Sequence, residues 1–321
     1  MRWLQKIRLP DWLKDSRMHE NKDARFRLPQ SGQHPFKLEA ELQSAVRDLL
    51  RQIKSRLNTP SYFDARWLLG LAVGRDAPVF GHESLILTVA QAANLEALIA
   101  QRNSGCPISR MRGKREFYSS CFYLNDHTLD PRPDSECLID AAVQYTRSTA
   151  FNTQALCCLD LGTGSGCLLL SLLGELPHAF GLGVDLAPLA VSQARANAAQ
   201  LGLAARARFI CSDWFEGVQG SFELILANPP YIPTGDSKLA RDVADFDPSL
   251  ALFAGTDGLD AYAKLLPQIP ARLLASGRLF LEIGAEQTDA VKKLAEQAGL
   301  QLYAVCSDLA GHDRCLILGK K

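Results

Sequence analysis

Apolar residues at positions 38, 42, 45, 46, 49, 50, 53 and 57, with charges between them, recur at helical spacing and predict a first helix over 38–57. Ser61 begins a second helix that runs through Leu71, with Gly74 as a stop, and Thr88 caps a third through Gln101. These three predict a small helical bundle over residues 38–112. The pattern then shortens. Glu116–Ser119 and Cys121–Leu124 read as the strands of a β-hairpin, with Asn125-Asp126 as a following turn. From residue 136 onward, short apolar runs alternate with helical stretches, the pattern of a doubly wound parallel sheet. The expected strands lie near 156–161, 181–185, 207–211, 222–227, 277–283, 300–306 and 313–318. No helix of useful length separates the last two, so they are expected to pair antiparallel at one edge. The fold class is therefore α/β, a mostly parallel seven-stranded Rossmann-like sheet with a small N-terminal helical domain and a β-hairpin linker. The expected divisions are 1–37, a poorly ordered arm; 38–112, the helical domain; 113–135, the linker; and 136–321, the sheet domain.

Composition narrows the classes. A chain of 321 residues has room for two domains and a sizeable core. The formal charge is zero, but residues 1–135 carry 21 Lys and Arg against 15 Asp and Glu, and residues 136–321 carry 14 against 20. An acidic sheet domain is a poor match for an enzyme that must neutralise duplex-DNA phosphates. Residues 1–37 hold nine basic and four acidic residues with Pro10, Pro29 and Pro35 scattered among them. That is neither an acid-poor presequence nor a secretory signal with an apolar centre. Leu161–Gly174 is the longest uncharged apolar-rich stretch, and it is too short and Gly-rich to span a bilayer. Nine cysteines at no metal-ligand spacing read as mostly buried thiols in a reducing cytoplasm, with no metal site implied.

The chemistry concentrates at strand ends. The expected strand 156–161 runs into Gly162-Thr163-Gly164-Ser165-Gly166, and a helix-like stretch follows from Cys167. Glycines here let backbone approach a ligand at a helix amino end. A dinucleotide fingerprint needs a third glycine at position 167, which is Cys, so G-x-G-x-G suits a cofactor without a pyrophosphate, such as S-adenosylmethionine. Asp185 ends the next strand and can accept both ribose hydroxyls. Ser212-Asp213-Trp214-Phe215 follows the third, placing Asp213 near an adenine amine and Trp214 against the adenine face. Asn228-Pro229-Pro230-Tyr231 follows the fourth. The Asn228 amide and the Pro229 carbonyl offer two acceptors for the hydrogens of a planar NH2 group, and Tyr231 offers a ring on which it can stack. A Pro-rich turn after a buried strand is the bland reading of the same residues. The long connection 232–256 reads as a lid or a substrate-binding loop. Within it, Phe246-Asp247-Pro248 is either a packing anchor or a substrate contact. Glu282 has a structural role on this reading.

Taken together, Gly162 to Gly166, Asp185, Ser212 to Phe215 and Asn228 to Tyr231 resemble the class I S-adenosylmethionine-dependent methyltransferases that modify amide or amine nitrogens. Two further segments are similar to the HemK/PrmC family of release-factor glutamine N5-methyltransferases. They are Gly113-Lys114-Arg115-Glu116-Phe117-Tyr118, and Leu129-Asp130-Pro131-Arg132-Pro133-Asp134-Ser135-Glu136. Ser135 stands where that pattern commonly has Thr. The resemblance implies methyl transfer to the glutamine of the Gly-Gly-Gln motif in class 1 peptide chain release factors, in the cytoplasm. It implies Asn228, Pro229, Pro230 and Tyr231 as the acceptor-binding residues, and no direct nucleic-acid substrate. A methyltransferase for another planar amino group (a ribosomal-protein glutamine or adenine N6) and an inactive cofactor-binding partner are the other readings.

Overall fold

The computed structural model describes residues 35–149, 151 and 155–321. The expected arm lies outside the described residues up to residue 34, and the first helix, α1 (Pro35–Arg56), begins three residues before the expected boundary. Contacts divide the chain between Ile108 and Ser109 into two compact units.

In the first unit, α1 presents Val46, Leu49, Leu50 and Ile53 at helical spacing, all buried. α2 (Tyr62–Ala72) buries Leu68 and Leu69, and α3 (Val89–Asn103) buries Leu95 and Ile99. Caps set the helix starts. Ser61 Oγ accepts from the Asp64 amide, and Thr88 forms a reciprocal box with Gln91. The buried Asp64 carboxylate accepts from Arg102 Nε at 2.7 Å, tying α2 to α3.

α4 (Ile108–Arg112) leads into the hairpin of β1 (Lys114–Phe117) and β2 (Ser120–Tyr123). The hairpin is shifted from its expected register: Tyr118 and Ser119, with φ of 46° and 60°, form its two-residue turn. Left-handed backbone at both central residues matches the strand twist, which places the hairpin turn just before the expected break at Ser120. The expected following turn is present, with the Thr128 amide donating to the Asn125 carbonyl at 3.2 Å. Glu136 Oε1 accepts from the Tyr118 amide at 2.9 Å, and Asp140 Oδ1 accepts from its hydroxyl at 2.8 Å. The turn is thereby pinned to α5 (Glu136–Arg147).

The sheet follows: β3 (Leu156–Leu161), α6 (Cys167–Glu175), β4 (Ala179–Asp185), α7 (Pro188–Gln200), β5 (Ala207–Cys211) and β6 (Phe222–Ala227). Then come α8 (Arg241–Phe246), α9 (Asp260–Leu265), α10 (Ile269–Arg272), β7 (Leu273–Glu282), α11 (Thr288–Gln297), β8 (Leu300–Ser307) and β9 (Asp313–Lys320). Strand order is β5-β4-β3-β6-β7-β9-β8; β9 runs antiparallel between β7 and β8, and the other pairings are parallel. The expected seven-stranded, mostly parallel sheet is present, with its antiparallel pair at one edge.

Strand alternation builds a core on each face. Leu224 and Leu226 of β6 pack with Ile139 of α5, Leu169 of α6 and Val191 of α7. Ile225 and Ala227 pack with Tyr262 and Leu265 of α9 and Val291 of α11. Helix α6 lies close on the sheet because β4 carries Gly181, where a Cβ would come within 2.6 Å of Leu169 Cδ1. The order reverses at β3, so β4 and β6 flank it and their carboxyl ends open a crevice. The cysteines depart in part from expectation: Cys106, Cys158 and Cys315 are buried and four others half-buried, but Cys157 of β3 and Cys211 of β5 are exposed.

Candidate active site

The glycine loop is built by backbone geometry. Gly162, Gly164 and Gly166 all have left-handed φ, at 75°, 54° and 81°. Their roles differ. A Cβ on Gly164 would meet nothing within 4 Å, so its backbone faces open space, whereas one on Gly166 would press on Ala194 Cβ at 3.2 Å. Gly166 is the N-cap of α6 and seats that helix; it does not line the cavity. The loop is held from below. Thr163 Oγ1 donates to Asp160 Oδ2 at 2.6 Å, and burial pushes the Asp160 carboxyl up to about 7, with the Thr163 bond opposing the rise.

Asp185 is the hinge pin of this region. Its Oδ2 accepts from the Gly164 amide at 2.8 Å and its Oδ1 from the Ala187 amide at 2.9 Å. Burial raises its pKa, and the hydrogen bonds from Ala187 and Gly164 oppose the rise. A strand-end carboxylate facing a crevice need support little structure. Here it also straps the glycine loop to the start of α7, so both roles fall on one side chain.

A cavity of about 260 Å³ opens at the strand ends. Gly162, Thr163, Gly164, Ser165, Asp185, Asp213, Trp214, Asn228 and Pro230 line it, as do Lys264 and Arg132. Trp214 adopts φ of 48°, a left-handed backbone rare for a bulky residue, and its ring edge lies 3.8 Å from where a Gly162 Cβ would sit. Asp213 carries a partner that sequence reasoning missed: Lys264 Nζ donates to its Oδ2 at 2.6 Å. The two residues are far apart in sequence, and no local signal joins them.

Of the acceptor residues, Asn228 and Pro230 reach the cavity wall, whereas Pro229 and Tyr231 are not on it. Asn228 Nδ2 donates to Ser135 Oγ at 3.3 Å, which leaves Oδ1 as the acceptor end of the amide. The Tyr231 hydroxyl donates to Glu282 Oε1 at 3.4 Å, and its carbonyl accepts from Gln287 Nε2 at 3.0 Å. The ring packs against the second core, as does Trp214.

The lip of the cavity answers the question left open for Phe246-Asp247-Pro248. Asp247 Oδ1 accepts from Arg110 and from the Asp130 amide, and Oδ2 accepts from Arg132. Its side chain is only 3 % exposed. Asp247 is thus an anchor that clamps the 232–256 loop onto the segment carrying Leu129 to Ser135. Pro131 and Arg132 from one side and Pro248 and Leu250 from the other then line the same opening.

A sequence profile described as the methyltransferase small domain matches residues 137–244, the glycine loop through the acceptor residues. A release factor glutamine methyltransferase of Rhodospirillum rubrum is 44 % identical over 260 residues, covering 80 % of this chain and 78 % of that protein. The one from Bradyrhizobium diazoefficiens is 40 % identical over 278 residues, covering 86 % of this chain and 93 % of that protein. The chain belongs to the release factor glutamine methyltransferase family. The expected HemK/PrmC resemblance and the methyltransferase activity stand with it. A third release factor glutamine methyltransferase, from Cereibacter sphaeroides, is 44 % identical over 78 % of this chain and 88 % of its own length.

The cavity fits the S-adenosylmethionine of a methyltransferase. It offers an open glycine backbone at Gly164, a carboxylate at Asp185 and an indole at Trp214, with apolar Pro131 and Leu250 at the lip. Asp185→Ala is expected to weaken cofactor binding by about 1.5–3 kcal/mol, the range for hydrogen bonds to a charged group. It should also lower the melting temperature, because the Gly164 and Ala187 amides lose their acceptor. Calorimetric titration and thermal unfolding read the two effects separately, and wild-type affinity would remove Asp185 from the site.

Proposed function

We propose that this chain transfers a methyl group from S-adenosylmethionine to the side-chain nitrogen of the Gly-Gly-Gln glutamine in class 1 peptide chain release factors, in the cytoplasm. The observation that carries the reading is the orientation of Asn228, with Nδ2 committed to Ser135 and Oδ1 left to accept, on the wall of the cavity that also holds Gly164 and Asp185.

The bound cofactor supplies a methyl on a sulfonium, already activated for transfer, so the protein's task is alignment and exclusion of water. Gly162 to Ser165 would hold its amino-acid end, Asp185 its ribose, and Trp214 with Asp213 its adenine. Asn228 Oδ1 and the Pro229 carbonyl would accept both hydrogens of the glutamine amide. With both N–H bonds fixed, the nitrogen lone pair turns out of conjugation and toward the methyl carbon. Water takes the amide proton after transfer, when the nitrogen has become acidic. A glutamate side chain brings a negative charge and no N–H, which would leave both acceptors unpaired. Among the described residues, no helix is long and apolar enough to cross a membrane.

Incubation with labelled cofactor and three acceptors tests the reading: an intact release factor, its Gln→Glu variant and double-stranded DNA. Label is expected on the intact factor alone, one methyl per glutamine by mass spectrometry. Label on DNA and none on the factor would overturn the assignment in favour of adenine N6.

A further inference from the structure

Glu282, at the end of β7, is a buried acid that the mechanism above does not use. It follows Leu281, which is in register with Ala227, so it sits beside the strand end that delivers Asn228. Glu282 is 1 % exposed, and Oε2 has no hydrogen-bond partner among the described residues. A buried carboxyl with an unmatched oxygen is costly and calls for an explanation beyond packing. Its neighbours supply one. Oε1 accepts from the Tyr231 hydroxyl, and Ser135, the acceptor for Asn228 Nδ2, lies close enough to influence its acidity.

We propose that Glu282 is a positioning residue that acts through Ser135 to hold the Asn228 amide with Oδ1 turned toward the acceptor nitrogen. The inference rests on the reading given under Proposed function. An amide has no intrinsic preference for which end faces the cavity; its partner decides. If the Ser135 hydroxyl donates to Glu282, only its lone pairs remain for Asn228, and they select Nδ2. Ionised Glu282 is an acceptor only: Oε1 takes the Tyr231 hydroxyl, and the unmatched Oε2 is free to take the Ser135 hydroxyl, so both donors can run toward the carboxylate. Protonated Glu282 is a donor itself and loosens that order.

Burial lifts the Glu282 carboxyl to about 7, with Ser135, Arg314 and Tyr231 opposing the rise and Asp134 adding to it. The other groups that face it are Cys137 of α5, Cys167 of α6, Tyr262 of α9 and Cys315 of β9. All four are themselves raised by burial or by their neighbours, so none competes near neutrality. Cys306, a free thiol pulled down to about 7 by its hydrogen bond with the Cys315 thiol, is the nearby exception.

Turnover is therefore expected to rise with pH through neutrality, as Glu282 ionises. Glu282→Gln keeps the shape but puts a donor against Ser135. It should bind cofactor and release factor with wild-type affinity and lose kcat by about 10-fold, the size of one lost positioning hydrogen bond. Its rise in kcat with pH should disappear. Ser135→Ala should lose kcat likewise, Ser135→Thr should restore it, and Cys306→Ser should keep the wild-type pH profile. Wild-type kcat and pH profile in Glu282→Gln would overturn the proposal, as would a fall in cofactor affinity that accounts for the lost rate. The side-chain NH2 resonances of Asn228, recorded without acceptor, separate this idea from the substrate assignment. They should shift in Glu282→Gln and Ser135→Ala even if the release factor proves not to be the acceptor. Resonances identical to wild type would sink the positioning role alone.

Discussion

Asn228→Ala is expected to lower turnover by about 10²–10³-fold, the loss typical of removing one preorganised polar contact to the reacting group. Cofactor affinity should change little. The glycine loop takes its shape from its own left-handed φ values and from Asp185, none of which involves the Asn228 side chain. The backbone carbonyl of Asn228, 3.8 Å from where a Gly162 Cβ would sit, survives the substitution. Single-turnover kinetics with saturating cofactor would isolate the step. A variant that turns over at close to the wild-type rate would mean that the acceptor amide is positioned by other groups.

Asp247→Ala should be the most destabilising single change among the residues discussed. Asp247 is the counter-charge for Arg110, whose side chain is 8 % exposed and whose remaining bonds go to the Asn125 and Thr128 carbonyls. Removing it strands a buried cation, which costs about 3–5 kcal/mol. The same change releases Arg132 and the Asp130 amide. The loop 232–256 would lose its clamp, and the cavity would lose the side of its opening formed by Pro248 and Leu250. Urea unfolding should show a midpoint well below wild type, with Asp247→Asn in between. An unchanged midpoint would show that solvent compensates Arg110 after rearrangement.

These predictions mark where sequence was informative. The run Phe222 to Ala227 matches β6 residue for residue, because a central parallel strand buried on both faces is apolar along its length, here with the half-buried Glu223 near its start as the one exception. Strand β7 begins at Leu273, earlier than the expected 277, since Ala275 and Ser276 are exposed and broke the apolar pattern. Helix α8 was not expected: it buries none of its six residues, so it leaves no periodic trace. The glycine loop, Asp185, Asp213, Trp214 and Asn228 were legible because each stands at a strand end, where polar residues break an apolar run. The partners that decide their roles were not. Lys264 for Asp213, Arg110 and Arg132 for Asp247, and Ser135 for Asn228 are joined only by the fold. Glu282 was read as structural, and nothing in its local sequence shows that it is buried against Tyr231.

The strand order bears on how the molecule comes into being. β9 lies between β7 and β8, and among the described residues β8 has no other neighbour in the sheet. During synthesis β8 therefore emerges with nothing to zip onto, and its hydrogen-bonding edge stays bare until residues 313–320 follow it. Closure of the sheet therefore waits for residues 313–320 in a chain made at about 5–20 residues per second. Arg314 and Cys315, which border Glu282, arrive with that stretch. A nascent chain would thus make its glycine loop and Asn228 early and the ground behind them later. Premature stops shortly before residue 313 should yield aggregation-prone, strand-exposing products in place of slightly weakened enzymes.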